Sequence, residues 1–237
     1  MRPWSCIPIN ESNEELRSLP HEFLRLEPHP YASAGAPYGA DVDPFRLRSG
    51  VVERLCSAQH LLIQREPSLR LAIFDAWRPI AVQAFMVEFT TTALCQERGI
   101  NRDDPNQRSA VEAVVRDVGR FWAPPSRNPA MPPPHSTGGA VDLTLASGDN
   151  GCPLDMGGAI DEIGAVSEPD HFATASLADQ QIFHKRRCLL RDVMAAAGFE
   201  QHPNEWWHYS HGDQLWAWRS GASTAIYAEA PIRSATA

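Results

Sequence analysis

An aromatic run with two ionisable groups inside it is the strongest constraint this chain places on its own fold. In Asn204-Glu205-Trp206-Trp207-His208-Tyr209 a carboxylate stands three residues before an imidazole, among side chains that belong in an interior. Burying either group without a partner is costly, so the fold must supply both with partners or a chemical task. A regular strand sends residues an odd number apart to opposite faces, so Glu205 and His208 can meet only across a bulge or a tight turn. Well before it in the chain, His135-Ser136-Thr137-Gly138-Gly139-Ala140-Val141-Asp142 supplies another imidazole and another carboxylate within one short glycine-bearing segment.

Two histidines and one carboxylate meet the need of a catalytic zinc, which takes three protein ligands and keeps one position for water. The Ser-Thr-Gly-Gly turn gives the chain freedom to bring His135 and Asp142 onto one ion, and His208 completes the set from a distant strand. Glu205 is then placed to take a proton from a water whose pKa falls toward about 7 on the metal, and to pass it to a leaving amine. Arg78 is placed to polarise a carbonyl and hold the developing oxyanion. Taken one at a time, His135, Asp142 and His208 each read more readily as structural or surface residues. Asp75 and Arg78 read as a surface or capping ion pair, and Trp206 and Trp207 as core aromatics. His211 is a mild rival to His208, and the other histidines, His29 and His202 among them, have no spacing that recommends them.

With 237 residues the chain can bury a substantial core as a single domain without disulfides. We expect residues 1–237 to form that domain, with about 1–30 and 220–237 peripheral. A formal charge of −8 argues against nucleic acid and anionic membrane as partners and leaves a small molecule or peptide. Five scattered cysteines without a Cys-x-x-Cys pair point to a reducing, cytoplasmic setting. Neither the apolar core of a signal peptide nor a membrane span is expected. Oligomeric state is left open.

The first fifty residues read as loop with one strand at most. Val51, Leu55, Ala58 and Leu62 recur at helical spacing and Pro67 closes that segment. Leu69 to Trp77 reads as a strand feeding a helix at Arg78-Pro79, with Val82, Phe85, Met86 and Phe89 on its apolar side. A third helix around Val111, Val114, Val115 and Val118 precedes a proline-rich loop, Pro124 to Pro134, which reads as a spacer or as a lid over the site. Ala140 to Leu145 alternates as a half-buried strand whose Asp142 faces away from the core. A helix from about Leu177 to Ala197 ends at Gly198, followed by strand from Phe199 to Tyr209 and another from Leu215 to Trp218. The pattern is α+β, with a mostly antiparallel or mixed central sheet and flanking helices.

Phe74-Asp75-Ala76-Trp77-Arg78-Pro79, His135-x-x-Gly138-x-Ala140-Val141-Asp142-Leu143-Thr144-Leu145 and Glu205-Trp206-Trp207-His208, in that order, resemble the VanX-type D-alanyl-D-alanine dipeptidases. The resemblance implies a hedgehog/D,D-peptidase-like fold and one Zn2+ per chain on His135, Asp142 and His208. It also implies Glu205 as catalytic base and Arg78 as the group that stabilises the transition state. Leu154-Asp155-Met156-Gly157-Gly158-Ala159-Ile160-Asp161 looks like the family's Asp-Met-Gly stretch, which gives Asp161 the substrate ammonium; Tyr31 matches a substrate-contacting tyrosine. The sequence departs from the family in having Pro133 where a serine usually precedes the first zinc histidine by two residues, and in lacking an Asn-Phe-x-Gly sequence. Both departures touch substrate binding rather than the metal. The implied activity is hydrolysis of D-alanyl-D-alanine, or a closely related small dipeptide, by a single zinc dipeptidase domain. A D,D-carboxypeptidase acting on cell-wall stem peptides and a non-catalytic zinc-bearing binding domain are the alternatives.

Overall fold

The computed structural model describes residues 2–39 and 42–231. In chain order the elements are β1 (Leu16–Ser18), β2 (Leu24–Arg25), α1 (Pro30–Ser33), β3 (Arg46–Arg48), α2 (Ser49–Arg65), β4 (Leu69–Asp75) and α3 (Ile80–Glu97). They continue with α4 (Arg108–Phe121), β5 (Ala140–Ser147), α5 (Ala178–Ala196), β6 (Glu200–Gln201), β7 (His208–Ser210) and α6 (Gln214–Ser220). The central sheet has the order β2-β4-β5-β7-β6, with β2 parallel to β4 and every other pairing antiparallel. β1 and β3 form a separate antiparallel ribbon. The fold is therefore α+β with a mixed, mostly antiparallel sheet, as the sequence pattern implies.

Apolar periodicity explains the packing. Leu55, Ala58 and Leu62 of α2 join Leu190, Val193 and Met194 of α5 against Val141, Leu143 and Leu145 of β5, in one core cluster. A second cluster gathers Val82 and Met86 of α3, Val114 and Val118 of α4, and Tyr31, Tyr38 and Trp122. The strand β5 is buried on both faces rather than half-buried, because Arg78, His135 and His208 close over the face that carries Asp142.

Local expectations differ from the structure elsewhere too, and the strand expected from Phe199 to Tyr209 is two short strands, β6 and β7, with a turn between them. The first fifty residues hold three short strands and a helical turn, whose partners are remote in sequence and leave no local period. Phe89 is largely exposed and stacks on Phe85, while Gln83 and Thr91 take buried positions on α3. Leu215 to Trp218 lies in a helix, not a strand. Asp213 caps it by accepting from the Trp216 N–H at 2.8 Å, and Gly221 ends it with φ of 76°. Both chain ends, read as peripheral, contribute to the core: Leu19, Phe23 and Tyr227 lie in the main cluster.

Tyr227 shows how the ends are tied in. Its hydroxyl donates to Glu14 at 2.9 Å and its ring lies 5.2 Å beneath the Arg48 guanidinium. Tyr227→Ala is expected to cost about 3–5 kcal/mol, as for a large aromatic removed from a core. Urea unfolding checks this, and a loss below about 1 kcal/mol would make the C-terminal segment peripheral after all.

Candidate active site

Strand register assembles the site. Asp142 pairs with His208 across β5 and β7. On its other side Asp142 pairs with Asp75 at the end of β4, where the register slips between Ile73 and Asp75. Three ionisable residues thus stand side by side on adjacent strands. His135 comes to the same point from a short 3-10 turn, Pro134–Thr137, which is held rather than flexible. Ser136 Oγ donates to the Arg78 carbonyl at 2.7 Å, and Arg48 Nε donates to the Thr137 carbonyl at 2.8 Å. Gly138 closes the turn with φ of 73°, and a Cβ there would collide with Leu16.

The hydrogen bonds fix both imidazole tautomers. His135 Nδ1 faces the Ala76 carbonyl at 2.7 Å, and a carbonyl only accepts, so Nδ1 carries the proton. Ser210 Oγ donates to Asp213 at 2.7 Å and so accepts from His208 Nε2 at 3.2 Å. The two remaining nitrogens, His135 Nε2 and His208 Nδ1, are 3.1 Å apart with lone pairs facing each other. Asp142 adds two more acceptors, Oδ2 at 3.2 Å from His135 Nε2 and Oδ1 at 3.0 Å from His208 Nδ1. At that distance Asp142 Oδ1 still has no hydrogen-bond partner, as expected when the facing nitrogen bears no hydrogen. Converging acceptors of this kind repel unless a cation joins them. Donor atoms on a tetrahedral zinc with bonds of roughly 2.0–2.1 Å stand about 3.3 Å apart, close to the spacings found here. The three residues therefore fit a single zinc-like ion, and they are the group among the described residues able to hold a metal.

Glu205 lies in the turn between β6 and β7, outside the strand that begins at His208, so the two meet across a turn. Its Oε2 is 3.6 Å from His208 Nδ1, and its Oε1 is buried with no hydrogen-bond partner. Burial first, and then the charge of Asp142, push this carboxyl well above the usual glutamate range.

Arg78 is not the surface ion pair that the bland reading expects. Asp75 is fully buried and takes Arg78 Nε at 3.0 Å and Nη2 at 2.7 Å on one oxygen. Its other oxygen receives His29 Nε2 at 3.1 Å and the Tyr38 hydroxyl at 3.2 Å. Burial works to lower the Arg78 pKa, but Asp75 and its other neighbours outweigh it, and the guanidinium stays charged. Nη2 also reaches Asp142 at 3.4 Å and the Tyr31 hydroxyl at 3.2 Å. Tyr31 in turn donates to Asp161 at 2.7 Å. Asp161 has a left-handed backbone, φ 67°, in a loop that Arg187 pins through the carbonyls of Met156, Val166 and Glu168. Burial, then repulsion from Asp142, pushes the Asp161 carboxyl up to about 7.

All the residues singled out in the sequence thus meet in one place. A cavity of about 30 Å³ is lined by Arg78, His135, Asp142, Asp161, Glu205 and His208. Tyr31 touches this group through Asp161 and Arg78. His211 lies outside it, its Nδ1 bonded to the Gly198 carbonyl at 2.8 Å and its ring against Trp216 and Tyr227. Sequence reasoning missed Arg2, Gln83, Trp122 and His202, which also line the cavity. Of these only His202 carried a signal, its interval to Glu205 repeating that from Glu205 to His208.

A buried His, Asp, His donor set flanked by a carboxylate and a guanidinium describes a mononuclear metallopeptidase centre. The profile of the M15 peptidases, D-ala-D-ala dipeptidase, matches residues 25–226, and the chain belongs to that family. A D-alanyl-D-alanine dipeptidase of Synechocystis sp. (strain ATCC 27184 / PCC 6803 / Kazusa) is 44% identical over 92% of this chain and 90% of its own length. The D-alanyl-D-alanine dipeptidase of Escherichia coli (strain K12) is 28% identical over 64% of this chain and 60% of that one. A solved structure of VanYB in complex with D-alanine-D-alanine covers 92% of this chain and 93% of its own at 13% identity, with a TM-score of 0.48.

Ser210→Ala removes the group that sets the His208 tautomer. Zinc affinity is expected to fall about 10- to 100-fold, the usual cost of losing an outer-shell partner. Competition with a chromophoric chelator measures it, and unchanged affinity would refute the tautomer argument.

Proposed function

We propose that this protein is a zinc-dependent dipeptidase that hydrolyses D-alanyl-D-alanine, or a closely related free dipeptide, to amino acids. It acts as a single zinc peptidase domain in the cytoplasm. Among the described residues, no helix is long and apolar enough to cross a membrane. The observation that carries the reading is the convergence of His135 Nε2, His208 Nδ1 and Asp142 as unshared acceptors beside the buried Glu205 carboxylate.

Zinc held by His135, Asp142 and His208 would supply Lewis acidity toward a water and a carbonyl oxygen. Glu205, whose Oε2 stands 3.6 Å from His208 Nδ1, takes the proton from the attacking water and returns it to the leaving amine. Arg78, locked by Asp75, presents its guanidinium to the oxygen that gains charge, without reorganising as it does so. Asp161 holds the substrate ammonium, and Tyr31 orients Asp161 through the bond it donates. The Asp161 carboxylate beside the His135, Asp142 and His208 group supports a substrate with a free ammonium close to the scissile bond, as in a dipeptide.

The test is alanine release from D-alanyl-D-alanine by zinc-loaded protein, with the N-acetylated dipeptide as comparison. Turnover of the free dipeptide alone is expected, because a blocked amine brings no charge to Asp161. Glu205→Gln should retain zinc and lose about 10²–10⁴-fold in kcat. Full activity in that variant would remove Glu205 from the chemistry.

A further inference from the structure

Arg2 belongs to none of the site motifs, yet its side chain lines the catalytic cavity beside His202, Glu205 and Trp122. It comes from the segment ahead of β1 and is held in place by Trp4. The Trp4 ring lies 5.3 Å from the Arg2 guanidinium and packs edge-on to His202 at 5.6 Å. The bonds that hold Arg2 are long, 3.4 Å to the Gly119 carbonyl and 3.3 Å to the Phe121 carbonyl, and His202 Nε2 at 3.5 Å bears the proton, because Nδ1 accepts from the Asn204 N–H. Among the described residues no carboxylate lies within ion-pair distance of it, although Glu205 is near enough for its charge to be felt.

The cavity holds two cations, and they differ in availability. Arg78 is fixed by Asp75, Gln83, Tyr31 and Asp142, and the dipeptidase reading already gives it the developing oxyanion. Arg2 has only neutral acceptors at the limit of hydrogen bonding. It also forms the partition to a neighbouring groove of about 330 Å³, which shares Arg2, Ala123 and Pro134 with the cavity and continues over Trp4, Met131 and Pro132. The cavity itself has room for little more than one water, so a dipeptide enters only if a wall moves. Arg2 is the loosely bonded wall, and moving it joins the cavity to the groove.

We propose that Arg2 binds the C-terminal carboxylate of the dipeptide at this junction and so selects substrates with a free carboxylate. The inference rests on the dipeptidase reading above. A free dipeptide is a zwitterion. Asp161 takes its ammonium, and the carboxylate requires an uncommitted cation with forked donors, which Arg2 supplies. A longer peptide or a C-terminal amide would leave the guanidinium facing an uncharged group.

The experiment compares D-alanyl-D-alanine with D-alanyl-D-alaninamide in wild type, Arg2→Ala and Arg2→Lys. Wild type should prefer the free acid. In Arg2→Ala the KM for the acid should rise about 10- to 100-fold, as for loss of a charged hydrogen bond, with kcat nearly kept, while cleavage of the amide does not fall. Arg2→Lys should recover part of the preference. A variant that is merely misfolded loses both substrates together and shows a lowered melting temperature, so the acid-to-amide ratio of kcat/KM is the deciding quantity. An unchanged ratio in Arg2→Ala, with wild type active, overturns the role of Arg2 alone. A wild type that cleaves neither substrate overturns the dipeptidase reading and this inference with it.

Discussion

Asp75 and Asp142 stand opposite each other across β4 and β5, and like charges so placed hold together only with positive charge between and around them. Arg78 provides the first part. It grips Asp75 through two nitrogens and reaches Asp142 with one of them. His29 and Tyr38 complete the Asp75 carboxylate, so every acceptor on that side is used. The Asp142 side is different, because both imidazoles present lone pairs to it. That asymmetry makes one carboxylate a structural brace and leaves its neighbour open to a metal ion. A buried charge network fully satisfied at one end and open at the other stabilises the site only when a cation completes it.

The sequence carried the candidate metal-binding residues more clearly than the shape of the scaffold. Glu205 and His208 were legible because two ionisable groups in an aromatic run need a purpose, and their odd spacing required the turn found between β6 and β7. Asp142 was legible from alternation, which put it on the face away from Val141 and Leu143. The role of Asp75 was not, since a carboxylate three residues before an arginine describes a surface pair equally well. Only the bulge in β4, a property of the assembled sheet, swings it under Arg78 and opposite Asp142. Arg2 was invisible for the same reason, since its neighbours in the site lie far away in sequence. His202 lies three residues before Glu205, and that interval was a signal passed over.

Arg48 explains why both chain ends matter to a site they do not line, apart from Arg2. It is buried, donates from Nε to the Thr137 carbonyl, and bonds through its backbone N–H to the Gly138 carbonyl at 2.9 Å. Its terminal nitrogens reach Glu11, the Glu14 carbonyl and the Ala228 carbonyl. One guanidinium thus ties the turn that presents His135 to residues from both ends of the chain. Holding a ligand-bearing turn by such bonds fixes the direction of its imidazole, which a glycine-rich turn alone could not do.

Charge balance links the separate parts of the site. Asp75, Asp142, Asp161 and Glu205 bring four carboxylates to one small volume, against the two guanidinium groups of Arg2 and Arg78. With all of them ionised the protein's own groups carry an excess of two negative charges. The chain can relieve that excess by protonation, which is the sense of the raised pKa values of Glu205 and Asp161. A divalent cation held by His135, Asp142 and His208 would relieve it instead and favour the ionised forms of Glu205 and Asp161. A zwitterionic dipeptide then adds no net charge and meets an anion at one end and a cation at the other. The same count makes a substrate lacking either terminal charge a poor match, because it would leave Asp161 or Arg2 desolvated without a partner.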